Sequence, residues 1–493
     1  MVSPEDSATI PPLTAPVDRP VLKRLILGLL AFVLGVAALL AIAIFAFRPG
    51  DPAPMSIDFT RHLVRLDGAA APANAEFVAT PGAARLQVTC AQATTRLGVQ
   101  LNGVQVLDPA QGIDCAKGIE LPVTLVARNR LAISTDASTA AATTLRIRQL
   151  AEVQMHVLSR VHYNVNVTDF EASRAFYGKL GFSTVSGFPD TNTQAMARAI
   201  GIKTPTAYDG SQGGEAGGYL LHGELIGLGG FGGAIDLIEF TIPRSEEPPY
   251  AALNRLGMAR AALLTRDIDA DYRTLAAQGV RFLSPPATRA DGSRFVIFTD
   301  PDGTFHELVQ PAGATAADGA PPDGRPTHIH AFGPLTVNAS DFERSRAWYQ
   351  MFGYELTRKL PANASGEEAK ALGFAQPVRI EGALLTHAVD GSTMELVQWL
   401  APYDPTPPYP LPVNHIGIHR TALATTDIAA DVATLEAQGV IFVSPITPCC
   451  SGPDSSGSIV AFLDPDGTIV ELVEQPMLSL LMPSMMRIGR LFE

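Results

Sequence analysis

The chain has 493 residues, a net charge of −13 and only four cysteines. That length exceeds what one hydrophobic core accommodates and argues for about three domains. No lysine- or arginine-rich run is present. Phosphate binding needs a basic face, so a nucleic-acid partner is excluded, and the acidity reads as solubility. No CxxC or His/Cys spacing of the zinc-site type occurs either.

Residues 1–24 read as a short N-terminal cytoplasmic tail. Leu25 to Phe47 then form an apolar run without a charge or a proline. As a helix it would be about 34 Å long, enough to cross a hydrocarbon core of about 30 Å. Phe45, Phe47, Arg48 and Pro49 follow where a signal peptide would carry a small-x-small cleavage site. An uncleaved single-pass anchor is therefore expected. Arg19, Lys23 and Arg24 precede the run, and Arg48 and Asp51 follow it. The positive-inside rule then puts the large C-terminal part outside the cytoplasm.

Residues 51–152 alternate polar and apolar positions, as in Arg85 to Thr89 and Leu145 to Gln149. Period two broken by Gly, Asn, Asp and Pro predicts a small β-sandwich domain. It carries no catalytic constellation, so a spacer or partner contact is its default role. Cys90 and Cys115 both fall in it. A disulfide between them would suit an oxidising compartment and add roughly 3 kcal/mol. Two unrelated buried thiols are the alternative.

From residue 155 the sequence repeats. Ala261 to Ala270 (AALLTRDIDA) returns as Thr421 to Ala430 (TALATTDIAA), and Thr274 to Pro285 (TLAAQGVRFLSP) as Thr434 to Pro445 (TLEAQGVIFVSP). Upstream, Asp169 to Tyr177 (DFEASRAFY) pairs with Asp341 to Tyr349 (DFERSRAWY). The copies span 155–312 and 328–478, with a Pro/Ala/Gly-rich linker at 313–327 and an apolar tail at 479–493. Each copy divides again into two units. A unit opens with a strand and continues with a helix that stops at a glycine such as Gly181. It ends on a strand with an acid before a leucine: Asp236, Glu307, Glu395 and Glu471. In the even units a DPDG turn precedes that strand. The expected class is α+β, with four βαβββ modules.

This arrangement resembles the vicinal oxygen chelate superfamily, which includes glyoxalase I, extradiol dioxygenases and bleomycin-resistance proteins. The motifs that carry the likeness are Phe176 to Phe182 (FYGKLGF), Trp348 to Tyr354 (WYQMFGY), Thr426-Asp427-Ile428 and the two DPDG-to-Glu-Leu strands. The resemblance implies two cups, each of two modules, with metal ligands on the first and last strands. The first-strand ligand would lie seven residues before the helix-opening aspartate, at His162, Arg260, Pro334 and Arg420. With modules paired in chain order, the first cup would offer His162, Asp236, Arg260 and Glu307. The second would offer Pro334, Glu395, Arg420 and Glu471.

Neither set matches a glyoxalase or a dioxygenase. A guanidinium has no lone pair for a metal and stays charged. Between two carboxylates it forms charge-assisted pairs instead. Arg260, Arg420, Glu395 and Glu471 are thus expected to contact a ligand or one another. A divalent metal is conceivable only in the first cup, on His162, Asp236 and Glu307, and otherwise no cofactor is expected. Two functions compete: a membrane-anchored protein that encloses a small molecule in metal-poor cups, and a metal-dependent glyoxalase-like lyase, isomerase or dioxygenase in which Glu307 or Asp236 moves a proton.

The long glycine-rich segment from Ser183 to Ala234 contains a short helical pattern at Thr193 to Ile200 and could lid the first cup. His328, His330, His415 and His419 occupy none of the ligand positions. The adjacent Cys449 and Cys450 sit in a Pro/Gly/Ser loop, where no redox or thiol role is expected and a bond between neighbours would need a strained local geometry.

Overall fold

The computed structural model describes Gly35, Ala38, Ile42 and residues 52–476, apart from 67–72, 92–95, 112–113, 136–142, 230–232, 315–323, 365 and 451–453. The expected tail at 1–24, the span at 25–47 save those three helical residues, and the apolar tail at 479–493 lie outside the described residues. Among the described residues no helix is long and apolar enough to cross a membrane.

Eight strands precede the repeats: β1 (Met55–Leu66), β2 (Ala73–Val78), β3 (Gly82–Cys90), β4 (Leu97–Leu101), β5 (Val104–Leu107), β6 (Ile119–Leu125), β7 (Arg128–Thr135) and β8 (Thr143–Val153). They form two antiparallel four-stranded sheets, ordered β1-β8-β3-β6 and β2-β7-β4-β5. The alternation reports the facing. Leu86, Val88, Leu145 and Ile147 of one sheet share a core with Leu97, Val99, Leu131 and Ile133 of the other. Cys90 and Cys115 are bonded at a Cα separation of 5.3 Å, within the ordinary disulfide range.

The first module contains β9 (Val157–Asn166), α1 (Phe170–Leu180), β10 (Ser183–Gly187), β11 (Thr191–Asn192), α2 (Gln194–Ala199), β12 (Tyr219–Gly227) and β13 (Ala234–Ile242). The second contains β14 (Gly257–Thr265), α3 (Ile268–Ala277), β15 (Arg281–Phe282), β16 (Ala287–Thr288), β17 (Arg294–Thr299) and β18 (Phe305–Gln310). The third has β19 (Ile329–Asn338), α4 (Phe342–Gln350), β20 (Tyr354–Lys359), β21 (Asn363–Ala364), α5 (Gly366–Ala371), β22 (Val378–His387) and β23 (Thr393–Ala401). The fourth has β24 (Gly417–Thr425), α6 (Ile428–Ala437), β25 (Ile441–Phe442), β26 (Thr447–Cys449), β27 (Gly457–Leu463) and β28 (Ile469–Glu474).

Each long helix starts at an aspartate whose side chain accepts a hydrogen bond from the backbone three residues on: Asp169, Asp267, Asp341 and Asp427. This satisfies one of the orphan amides of the first turn. Helix α1 stops at Gly181, which has φ 104°. There the Phe182 amide reaches back to the Tyr177 carbonyl, a closure that favours glycine.

Pairing of the modules departs from chain order. Strand β9 pairs antiparallel with β24, and β14 pairs antiparallel with β19. One curled sheet therefore joins the first module to the fourth, and the other joins the second to the third. The expectation of a first-with-second and a third-with-fourth cup is corrected here. Chain neighbours meet instead on the helical side. Thr168 donates through its amide to Asp302 at 3.0 Å, and the Tyr177 hydroxyl stands 2.9 Å from His306 Nε2. In the other half Ser340 donates to Asp466 at 2.9 Å and Tyr349 to Asp464 at 3.0 Å. The DPDG turns are thus ties to the preceding module as well as turns. The helices and the backs of both sheets share one core, in which Tyr177, Leu275, Tyr349 and Leu435 are all buried.

The N-terminal sheets dock on this helical side. Arg65 and Arg146 both donate to the buried Asp341 carboxylate, at 2.8 and 2.6 Å. Arg61 reaches the Gln438 carbonyl and side chain at the end of α6, where a cation suits the helix dipole. Burial alone would raise the Asp341 carboxyl, but Arg146, the Arg344 amide and Arg65 outweigh it and hold it below the usual range. Asp341→Ala removes a cap and two charge-assisted bonds and is expected to cost about 2–3 kcal/mol. Asp169→Ala removes only a cap and should cost about 1 kcal/mol. Because the Asp341 pKa is depressed, its contribution is present above the unfolded carboxyl range and is lost as pH falls through the folded value. Urea titrations of both variants should therefore differ at neutral pH, and the Asp341→Ala deficit should shrink in acid.

Candidate functional site: two unequal cups

Strand alternation sorts each terminal strand between the common core and a cup. On β18 Leu308 joins the core while Phe305 faces the cup, and on β23 Leu396 joins the core while Val397 and Trp399 face the cup. The acid before each leucine therefore points inward, as Glu307 and Glu395 do in one cup and Asp236 and Glu471 in the other.

In the cup of the second and third modules, Arg260 bridges two acids from opposite halves. Its Nε donates to Glu307 Oε2 and its Nη2 to Glu395 Oε2, both at 3.0 Å. Arg289 takes the other Glu307 oxygen and lies over the Phe295 ring. Glu307 is 1% exposed, so both of its oxygens are engaged away from water. Burial would raise its carboxyl, but Arg289 and Arg260 outweigh that and lower it. Thr336 also donates to Glu395 Oε2, at 3.2 Å. Above this floor opens a cavity of about 540 Å³, walled by Leu360, Ile380, Leu384, Val397 and Trp399 among others. Pro334 is among its lining residues and offers no donor.

The cup of the first and fourth modules is filled. The segment after β10 carries α2, capped by Thr193 through the Met196 amide, and packs it against β26 and β27. Met196, Ile200, Ile202, Tyr219 and Phe240 make one buried cluster with Cys449 and Ile459. Gly223 permits this. A Cβ there would stand 2.4 Å from the Phe188 ring, which lies on the strand. Cys449 and Cys450 form a second disulfide across a cis peptide bond in the same wall.

Beneath this plug lies a polar cluster. His162 Nδ1 is 4.0 Å from Asp236 Oδ2, and Asn164 donates to the same oxygen at 2.5 Å. Arg420 Nε and Glu471 Oε1 approach to 2.9 Å, but neither atom is in a hydrogen bond. Burial pushes His162 down to about 4 and Asp236 up to about 6, the latter against the pull of Arg420 and Asn164.

Placement of the expected residues follows. His162 and Asp236 meet, but Glu307 lies in the other sheet, so the expected set of His162, Asp236 and Glu307 is divided between the cups. Arg260 meets Glu307 as expected, and its second acid is Glu395 rather than Asp236. Arg420 meets Glu471 alone among the ion pairs. Neither cup fits a divalent metal. A guanidinium stands between the acids of one, and Arg420 stands beside the acid and histidine of the other. Among the described residues no three His, Cys, Asp or Glu side chains converge as a ligand group. Sequence reasoning missed Arg289. In the repeat alignment it occupies the place of Cys449, so one position furnishes a cation in one cup and a disulfide in the other.

Comparison with known proteins locates the chain. The sequence pattern of the Glyoxalase/Bleomycin resistance protein/Dioxygenase superfamily matches residues 159–308 and 329–472, more than half of the chain. Among solved structures, glyoxalase I from Zea mays is similar at 16% identity, over 67% of this chain and 94% of that one, with a TM-score of 0.42. A superfamily member from Sphaerobacter thermophilus is 24% identical over 31% of this chain and 98% of that one, at a TM-score of 0.21. The Mn(II)-bound glyoxalase from Novosphingobium aromaticivorans is 14% identical over 65% and 83%, at a TM-score of 0.21. A search of curated proteins returns no match.

Substitutions at two positions probe the cups. Arg260→Ala leaves Glu395 and half of Glu307 unpaired in a buried site and should cost roughly 3–5 kcal/mol by denaturant unfolding. Arg260→Lys should recover only part, because one ammonium cannot span both acids as a fork. Asp236→Asn should act the other way. A raised carboxyl pKa contributes stability below the unfolded pKa near 4, and that contribution is lost as pH rises through about 6. At pH 7–8 the variant should equal or exceed the parent, by up to about 3 kcal/mol, with the advantage vanishing near pH 4.

Proposed function

The chain belongs to the Glyoxalase/Bleomycin resistance protein/Dioxygenase superfamily, and we propose that it is a small-molecule-enclosing protein whose ligand site is the cup of the second and third modules. One observation carries the reading. Arg260 joins Glu307 to Glu395 directly beneath a cavity of about 540 Å³. The guanidinium neutralises the acids that would otherwise attract a metal, and the apolar walls supply affinity by burial. The cup of the first and fourth modules serves as scaffold, its interior occupied by α2 and its neighbours.

In the same proposal residues 25–47 anchor the chain in a membrane, with residues 51–493 outside the cytoplasm. The uncharged run, the cations before it and the Cys90–Cys115 bond support that arrangement. The N-terminal strands then act as a sandwich-like spacer, held to the modules through Arg65, Arg146 and Arg61. The metal-dependent lyase, isomerase or dioxygenase is the weaker reading. It needs a chelate whose expected residues fall in two cups.

The full-length protein, purified in detergent and dialysed in turn against zinc, manganese, nickel and iron(II), should retain metal only well below one equivalent. Stoichiometric metal that disappears in Glu395→Gln or in His162→Ala would reverse the choice between binding protein and enzyme. Carbonate-washed membranes should keep the full chain and release one lacking residues 1–50.

A further inference from the structure

The two acids of the open cup are not equivalent. Both Glu307 oxygens are taken, one by Arg260 and one by Arg289. Glu395 spends only Oε2, on Arg260 and Thr336. Its Oε1 has no partner among the described residues, and the side chain lines the cavity. A second carboxylate, Glu368 on α5, also faces the cavity and is in no ion pair or side-chain hydrogen bond among the described residues. Burial, with Asp291 repelling it, raises Glu368 against the pull of Arg289. The cavity thus holds two carboxylates with unused acceptor capacity.

The charge around it leans the same way. Three arginines, Arg260, Arg289 and Arg358, stand against four carboxylates, Asp291, Glu307, Glu368 and Glu395. Arg358 is paired to Asp291, and Arg260 is spent on Glu307 and Glu395. Arg289 itself registers the excess. Burial would lower it, yet Glu307, Glu395 and Glu368 together raise it. A carboxylate ligand would add a fifth negative charge and leave Glu395 Oε1 unsatisfied. A neutral acceptor would also leave it so, and unmet acceptors out of water are costly. The remaining walls are apolar apart from Ser293 and Thr393, with the Trp399 indole among them and its Nε1 already bound to Asn338 at 3.0 Å.

We propose that the cup of the second and third modules takes a small hydrophobic amine, its ammonium accepted by Glu395 Oε1 with Glu368 supplying the second negative charge, and its apolar body laid against Trp399 and Leu384. This rests on the reading of that cup as the ligand site and adds the ligand's chemical class. The cation completes the unused acceptor, and the volume suits a body of about ten to twenty heavy atoms.

Three probes with one phenylethyl body separate the possibilities: 2-phenylethylamine, its N-acetyl derivative and 3-phenylpropionate. Each is titrated into the full-length protein at pH 7 by calorimetry and by tryptophan fluorescence. The chain has two tryptophans. Trp399 lines the cavity and Trp348 packs in the core between the sheets, so a bound aromatic body reports through Trp399. The amine should bind about tenfold or more tightly than either analogue. Glu368→Gln, at a half-buried position outside any ion pair, should weaken the amine several-fold and leave the acetamide unchanged. Glu395→Gln should abolish the preference. Equal or tighter binding of the acetamide or the carboxylate overturns the amine class while the cup stands as a ligand site. Silence of all three probes, with Trp399 emission unchanged, overturns both.

Discussion

Everything in the modular region depends on which first strands lie side by side. A βαβββ module presents its first strand as an open edge, flanked on one side by its own last strand in parallel. Such an edge is a row of unpaired amides and carbonyls that has to find a partner. Here β9 finds β24, and β14 finds β19. Once those two ladders form, residues far apart in the chain become neighbours: Ala422 stands opposite His162, and Thr336 opposite Arg260. The composition of each cup follows from that choice alone.

The same pairing explains why chain neighbours are bound so differently. The first and second modules share no sheet, yet they are held together through Thr168 with Asp302 and Tyr177 with His306 and Asp300. The third and fourth repeat the tie with Ser340, Tyr349, Asp464 and Asp466. The tyrosine contacts are buried and those of Asp302 and Asp466 partly so, and loss of one partner would leave the other unsatisfied at a cost. Sheets join modules across the chain, and helices with DPDG turns join them along it. The resulting closed circuit of four modules gives one continuous core rather than two separable halves.

Within this circuit the cups have diverged in how they meet their buried charges. The open cup balances them by a fork: Arg260 satisfies two acids and Arg289 a third oxygen. The filled cup leaves several polar atoms of His162, Asn164, Arg420 and Glu471 without hydrogen bonds among the described residues and covers them with Met196, Ile200 and Tyr219. The difference traces to insertions of unlike length. The first module has a long segment between β11 and β12, and the third has a shorter one between β21 and β22. A longer segment brings enough apolar surface to fill its own cup. The shorter one, with α5, walls a cavity and leaves it open.

Much of this was legible before any fold was in hand. The four aspartate helix starts and the glycine stop at Gly181 follow from local spacing, since capping is decided within a few residues, and the inward places of Asp236, Glu307, Glu395, Glu471, Arg260 and Arg420 came from the resemblance to the superfamily. The short helix after Thr193 was legible for the same reason, but it fills the cup of the first and fourth modules instead of lidding a cup of the first and second. Three things were not. The partner of each first strand was hidden, because four similar edges compete on nearly equal terms and linker lengths permit more than one solution. Arg289 was hidden because it lies outside both ligand strands and reaches its acid only after β16 and β17 curl over the cup. The split of His162 and Asp236 from Glu307 follows from the first of these. The sequence, with the family pattern it resembles, determined which acids and arginines sit at the inward positions. Tertiary pairing decided which of them face each other, because side-chain direction is a property of one strand and proximity is a property of two.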